Sequence, residues 1–414
     1  MSKHGVVIGG GVIGAACAYF LAKTGWQVTI VDRGQFGMGC SHGNCGIICP
    51  SHLLPLAEPG AAWKALRSMF KKNAPLFIKP RFDPSLWLWL LKFAGRCNEA
   101  AMMESAHACQ ELLRSSQILY TRLMASEPLE CELQSRGLLF VFAKHEEMEE
   151  YAKTDRLLTE SFGMPAIRYD DNAVARLEPA LKPDLAGGWY YEHDSHLRPD
   201  KLMASWAQLL KKLGVTIREQ CEATGFVRDG NRSKAITTST GEVAADAFVI
   251  AAGALTPMLA KFLGCSIPIQ PGKGYSITMP RPKLCPKIPL IFPETKVAVT
   301  PMRSGYRLGS TMEFAGYDAT LNRARLDMLK EGAKPYLIEP FNDLVQQEWF
   351  GWRPMTYDGK PIIDRSPVME NVVIAAGHNM LGLSMSPATG RLVAEILNGT
   401  PPHINPQPFS VRRF

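Results

Sequence analysis

The 414-residue sequence predicts an α/β protein, a Rossmann-type nucleotide domain with an α+β substrate domain interleaved into it. Three observations carry that expectation. A glycine-rich turn joins an apolar strand to an apolar helix at the N-terminus. Two later stretches, ADAFVIAAGA (245–254) and NVVIAAG (371–377), read as buried strands ending in small residues. Between them lies a tract with alternating residues such as Lys296–Val297–Ala298–Val299–Thr300, the pattern of an antiparallel sheet.

Residues 5–33 read GVVIGGGVIGAACAYFLAKTGWQVTIVDR. Gly9 permits a tight turn, Gly11 lets the backbone approach a pyrophosphate, and Gly14 lets helix and strand pack closely. The helix that follows offers the unpaired amides of its first turn, at Val12, Ile13 and Gly14, to phosphate. Asp32, followed by Arg33, ends the second strand where an acid accepts ribose hydroxyls. Lone glycine patterns of this kind are weak, but strand, turn, helix, strand and acid occur here in order. Ala252, Gly253 and Gly377 close the two later strands where a chain passes under a cofactor.

The helix DKLMASWAQLLKKLG (200–214) places Leu202, Trp206, Leu209 and Leu213 on one face, stopped by Gly214. Near the C-terminus, Ser386–Pro387 reads as an N-cap followed by proline at the first helical position. The nucleotide domain is therefore expected from residues 1–50, 196–270 and 351–414. The substrate domain is expected from 51–195 and 271–350.

A formal charge of +7, with 46% hydrophobic and 21% charged residues, describes a globular chain with a mildly basic surface. That balance suits an anionic substrate or lipid at least as well as nucleic acid, which is not expected as a partner. No apolar run approaches the roughly 18 residues of a spanning helix, and the start MSKHG lacks a cleavable signal. Ten irregularly spaced cysteines suit reduced thiols, so a cytoplasmic location is expected. The cluster CSHGNCGIICPSH (40–52) invites a metal reading, yet Cys40, Cys45 and Cys49 do not reproduce a C-x₂-C pair. No metal is expected.

The stretch after Asp32 resembles a known family. Its loop Ser41–His42–Gly43–Asn44–Cys45–Gly46 matches the Ser-x-x-Asn-x-Gly loop of the D-amino-acid oxidase superfamily. The fuller resemblance is to the FAD-dependent D-amino-acid dehydrogenase (small subunit) family. It continues through HLLPLAEPG (52–60), VARLEPAL (174–181), PGKGYSITMP (271–280), RLGSTMEFAGYD (307–318), GWRPMTYDGKPIID (351–364) and AAGHNMLGLSMSPATGRLVAEIL (375–397). Cys45 and the run from Ile47 to His52 depart from that family's pattern and put the substrate in question. The resemblance implies a glutathione-reductase-like FAD-binding domain, with noncovalent FAD lying against Ser41, Asn44, Cys45 and Gly46. Gly382, Leu383 and Ser384 would lie at its other edge, where a helix N-terminus faces charge on the reduced ring. Certain relatives attach flavin through a cysteine in the segment matching 351–358; none occurs there in this sequence.

Oxidation of an amino acid by flavin needs orientation more than a base, and a carboxylate clamp first of all. Arg353 matches the Gly-x-Arg-Pro arginine that binds substrate carboxylate in related oxidases; the competing reading is an ion pair with Asp358 or Asp364. Arg307 is a second candidate with a structural alternative. Tyr275 is a candidate hydroxyl donor to the carboxylate, against a core tyrosine. His378 either lines the substrate pocket or caps a strand. The expected activity is oxidative deamination of D-amino acids, with electrons passed to a respiratory acceptor. The alternatives are an oxidase or dehydrogenase of D-proline, cis-4-hydroxy-D-proline, glycine or sarcosine, or a partner-dependent subunit. A quinone acceptor and peripheral contact with the inner face of the cell membrane rest on two segments, 63–79 and 86–93, which mix basic and large apolar residues. A homo- or hetero-oligomer is left open.

Overall fold

Strand His4–Ile8 runs through Gly9, Gly10 and Gly11 into helix Val12–Lys23, and strand Gln27–Val31 follows. The structure is a computed structural model that describes residues 2–63, 76–79 and 81–414. Among these, a six-stranded sheet has the order Ile362–Arg365, Val372–Ala376, Ala247–Ile250, His4–Ile8, Gln27–Val31, Thr216–Arg218. Neighbours are parallel except the first two, which form a hairpin. Ala247–Ile250 and Val372–Ala376 are buried at every position, as strands covered on both faces must be. A three-stranded antiparallel sheet, Ala223–Asp229, Arg232–Thr238 and Gly241–Ala244, is set between these parts of the chain.

Helix Pro199–Lys212 buries Leu202, Trp206 and Leu209. Each such burial contributes about 1.5–3 kcal/mol. Gly214 then takes a left-handed φ of 78° and ends the helix. The last helix corrects an expectation. It spans Gly382–Asn398 and starts a turn before Ser386, so Pro387 lies inside it. Proline has no N–H, which leaves the Leu383 carbonyl without its helical donor. The Tyr120 hydroxyl at 2.8 Å and the Ser386 hydroxyl at 3.0 Å donate to that carbonyl instead. Two side-chain donors make an internal proline tolerable, and a Ser-Pro pair read alone does not disclose them.

The second large sheet runs Gln347–Thr356, Ile269–Met279, Gly305–Phe314, Val297–Met302, Leu290–Phe292, Leu138–Phe142, Gly187–Tyr191, Ile167–Asp170, with Leu76–Ile78 added to Gly305–Phe314. Strands from both expected parts of the substrate domain enter it. It also continues past residue 350, because Gln347–Thr356 pairs with Ile269–Met279 along its length. Helix Glu99–Ser126, capped by the Asn98 side chain on the Ala101 amide, packs against the last helix through Tyr120 and Ser116. Residues 64–75 of the expected membrane-facing stretch lie outside the described residues. Among the described residues, no helix is long and apolar enough to cross a membrane.

A short antiparallel pair, Ile47–Ile48 with Ser195–His196, ties the end of the cradle loop to the second layer. Beside it the buried Asp194 carboxylate accepts from the Ser51 hydroxyl and, at 3.3 Å, from the Ser51 amide. Burial raises the Asp194 pKa from 3.8 to about 7, although the Ser51 hydrogen bonds oppose it. The folded state therefore holds this proton more tightly than the unfolded chain. Its contribution is complete below the unfolded pKa and declines by about 1.4 kcal/mol per pH unit until pH passes the folded value. Asp194→Asn, which keeps both a donor and an acceptor toward Ser51, should lose that decline. Melting temperatures from pH 4 to 8 should show the variant gaining on the wild type as pH rises; parallel curves would exclude a protonated Asp194.

Candidate active site

The cradle is built from backbone close approach. A Cβ at Gly14 would stand 1.9 Å from the Gly9 carbonyl oxygen, so only glycine lets the helix start this near the strand. The Gly10 amide donates to Asp32 Oδ2 at 2.6 Å and the Gly34 amide to Asp32 Oδ1 at 2.8 Å. Each oxygen keeps a second lone pair for a ribose hydroxyl. Ser41 Oγ accepts from the Val12 amide at 2.9 Å, leaving Ile13 and Gly14 as first-turn amides for phosphate. Among the described residues, and apart from chain neighbours, only Ser41 Oγ comes within 4 Å of a Cβ built on Gly11, and none does on Gly253. Arg33 is exposed beside Asp32, and Ala252 follows the Ala251 carbonyl that crosses Gly9. These features fit a dinucleotide.

The loop from Ser41 to Gly46 closes on itself. Asn44 donates to the Ser41 carbonyl at 2.9 Å and accepts from the Gly46 amide at 2.8 Å. Its amide, expected to lie against flavin, holds the loop's shape through these two bonds. Ser384 Oγ accepts from the Cys49 amide at 3.2 Å, which joins the start of helix Gly382–Asn398, with the buried Leu383, to the strand after the loop. Gly377, with φ 77°, turns the chain toward that helix. The thiol of Cys45 lies against Gly309 of the second sheet.

Alternation along the second sheet then decides which expected residues reach the loop. Gly272 pairs with Arg353, Gly274 with Gly351, and Ser276 with Trp349, all on one face. Ser276 Oγ donates to the Gly43 carbonyl at 2.7 Å, so this face looks toward the cradle. Arg353 spreads its guanidinium over Gly274, where a Cβ would fall 2.4 Å from Cζ. Its Nη1 donates to the Thr311 carbonyl at 2.7 Å. A bulge at Ser310–Thr311, with φ of 132° and 55°, carries that carbonyl out of the ladder. Arg353 Nε and Nη2 have no protein hydrogen bond among the described residues, and no carboxylate lies within ion-pair distance. Asp358 is taken by Arg413 at 2.7 Å, and Asp364 by Ser410 and Val411. Burial lowers the Arg353 pKa, with a smaller opposite effect from Cys40 and Cys45.

Tyr275 points the other way. Its hydroxyl donates to Glu313 at 2.6 Å inside the core on the far face, and burial followed by that bond pushes its pKa up. It is not available to a carboxylate on the Arg353 face. Arg307 is spent on the loop, donating to Thr278 Oγ1 at 2.9 Å and the Asn44 carbonyl at 2.7 Å. His378 is buried with Nε2 against Thr389 Oγ1 at 3.0 Å; burial takes its pKa down to about 3, so the ring is neutral and ties the turn to the last helix. Among the described residues, no three His, Cys, Asp or Glu side chains converge as metal ligands. Sequence reasoning passed over Trp349. Its signal was present in the two-residue spacing 349–351–353 with glycine at the centre.

A family model described as DAO, FAD dependent oxidoreductase, matches residues 5–396. The chain belongs to this family of FAD-dependent oxidoreductases. It is 32% identical over 416 residues to a D-amino acid dehydrogenase of Paramagnetospirillum magneticum, covering 99% of this chain and 98% of that one. It is 32% identical over 419 residues to a D-amino acid dehydrogenase of Vibrio atlanticus, covering 99% of each. Among solved structures, glycine oxidase from Geobacillus kaustophilus superposes with a TM-score of 0.80 at 22% identity, covering 100% of both chains. L-proline dehydrogenase from P. horikoshii gives 0.74 at 20% identity, covering 100% of this chain and 98% of that one. The shared architecture is that of FAD-binding flavoenzymes.

Asn44→Leu leaves the Gly46 amide and Ser41 carbonyl without their partners in a loop that must hold its shape. The variant should lose about 1–2 kcal/mol of stability and retain less FAD through purification. Flavin-to-protein absorbance and thermal melting check this; a fully loaded variant with an unchanged melting temperature would show that the loop needs no lock.

Proposed function

We propose that this flavoprotein oxidises D-amino acids to imines, which water converts to 2-oxo acids and ammonium. The observation that carries the reading is Arg353, a partly buried guanidinium with one arm anchored to Thr311 and its other donors open. A planar fork of that kind matches a carboxylate. It projects from the sheet face that meets the cradle loop, so a bound carboxylate would set the Cα–H against the ring. FAD, when bound, supplies the chemistry by taking the Cα hydride, while a proton leaves the amine.

The protein's own share follows from its geometry. Gly9, Gly11, Ile13, Gly14 and Asp32 would hold the adenosine and pyrophosphate. The locked loop from Ser41 to Gly46 and the first turn of helix Gly382–Asn398 would flank the ring, the helix presenting its positive end to developing negative charge. Ser384 sets that end in place through Cys49. With no cysteine between Gly351 and Asp358, the flavin is expected to be noncovalent. Acid-precipitated protein should release it to the supernatant; a yellow pellet would refute that.

We also infer a lipid-soluble quinone acceptor reached from the inner membrane surface. Helix Pro84–Arg96 leaves Trp87, Leu88 and Leu91 exposed, and Phe82 before it is 98% exposed. The helix carries Lys92 and Arg96 and no acidic side chain, which suits an anionic bilayer. Turnover with an artificial dye and little hydrogen peroxide supports the dehydrogenase reading. Vigorous peroxide formation in air favours an oxidase of glycine or an imino acid.

Arg353→Lys keeps the charge and loses the fork. The variant should bind FAD normally and lose about 2–3 kcal/mol in kcat/KM, the range of a charge-assisted hydrogen bond, mostly through a raised KM. Near-unchanged kinetics would reassign the carboxylate to another group.

A further inference from the structure

We propose that Trp349 is the wall that limits the substrate's side chain, restricting efficient turnover to small amino acids such as D-alanine. This deepens the reading of Arg353 as the carboxylate anchor and rests on it. Gly274 and Gly351 are direct cross-strand partners. The Arg353 guanidinium covers the first of them, with Cζ, Nη1 and Nη2 each 2.4 Å from where a Cβ would stand. The Trp349 indole covers the second, with Cη2 and Cζ2 at 2.1 Å and 2.4 Å from the equivalent point. Anchor and indole thus lie side by side on a floor of two paired glycines.

The indole is also held from above. A Cβ at Gly43 of the cradle loop would meet Trp349 Cδ2 at 2.2 Å and Cγ at 2.5 Å. Clamped between Gly43 and Gly351, the ring cannot swing aside without moving a strand or the loop. The opposite flank of Arg353 is different in kind. Met312 and Met355 close over Gly272, at 2.7 Å and 2.8 Å from its Cβ position, and methionine side chains readjust easily. Of the groups around the anchor, Trp349 is the one whose shape a substrate must accept.

The test uses the FAD-loaded full chain and reads a ratio. In Trp349→Ala, kcat/KM for D-phenylalanine relative to D-alanine should rise about tenfold or more, the scale on which apolar pockets discriminate size, while Trp349→Phe changes it little. Binding of unreactive acids, followed by the flavin spectrum, should shift the same way, with benzoate tightening relative to acetate in Trp349→Ala. Unchanged ratios in both measurements, with flavin retained, would overturn the proposal. They would place the side chain past Met355, in the cavity lined by His52, Leu54 and Phe93. If Trp349→Ala does not hold FAD, Trp349→Leu reads the same ratio, and no change there overturns the proposal equally. Failure of the amino-acid reading is distinct. The wild type would then turn over none of these substrates, while the acid-binding series still reports the wall.

Discussion

Backbone pairing between Ile269–Met279 and Gln347–Thr356 decides what the active site can contain. Its ten residue pairs fix which side chains share a face. Gly272, Gly274, Ser276 and Thr278 meet Arg353, Gly351, Trp349 and Gln347 on the side of the cradle loop. Tyr275 and Ile277 meet Phe350 and Glu348 on the other. A one-residue slip of either strand would exchange its own two faces, burying the guanidinium against the helix Arg323–Ala333 in one case and turning Tyr275 toward the cradle loop in the other. The far face resists such a slip. Tyr275, Ile277 and Met279 are each no more than 1% exposed, packed with Leu326 and Leu329 of that helix.

The nucleotide cradle was legible in the sequence because its causes are local. Turn, helix start and acid all fall within residues 9–32, and their spacing alone constrains the backbone. The helix face of Leu202, Trp206 and Leu209 was legible for the same reason. What stayed hidden depends on partners far along the chain. Tyr275 and Arg353 both sit in glycine-containing motifs, yet only the register separates a core tyrosine from an open arginine. The bulge at Ser310–Thr311 shows no glycine at its left-handed positions, so nothing local announces it. Its reason is the Arg353 anchor, forty-two residues away. Likewise the early start of helix Gly382–Asn398 rests on Tyr120, a residue from another helix.

The cysteine and histidine cluster shows how local spacing can also mislead. His42 turns to Gln347 with ring nitrogen and amide 2.9 Å apart, while His52 stacks on Phe140 at 6.5 Å. Cys49 rests against Ser384, and Cys45 against Gly309. Four of the five cysteines and histidines within these thirteen positions therefore serve different neighbours. Burial raises the thiol pKa of Cys45 and Cys49, and that of Cys40 to about 11. All three are neutral thiols near pH 7, poor metal ligands and poor nucleophiles. Small size explains Cys45 and Cys49 better than reactivity, since both occupy tight contacts beside the cradle.

Two arginines flank the cradle loop, and the difference between them explains why one is open. Arg307 is 1% exposed and uses every arm: Nε on Thr278, Nη1 on the loop carbonyls of Asn44 and His42, and Nη2 at 3.7 Å from Asp200. Its charge is compensated and its work is to hold the loop down. Arg353 has a single carbonyl and no carboxylate among the described residues. A partly buried guanidinium with a single protein partner keeps donors for a ligand. A carboxylate completing Arg353, as proposed above, would meet a guanidinium already aimed by Thr311. Preorganisation at this site is therefore a property of the bulge and the register together, with the arginine as their outward end.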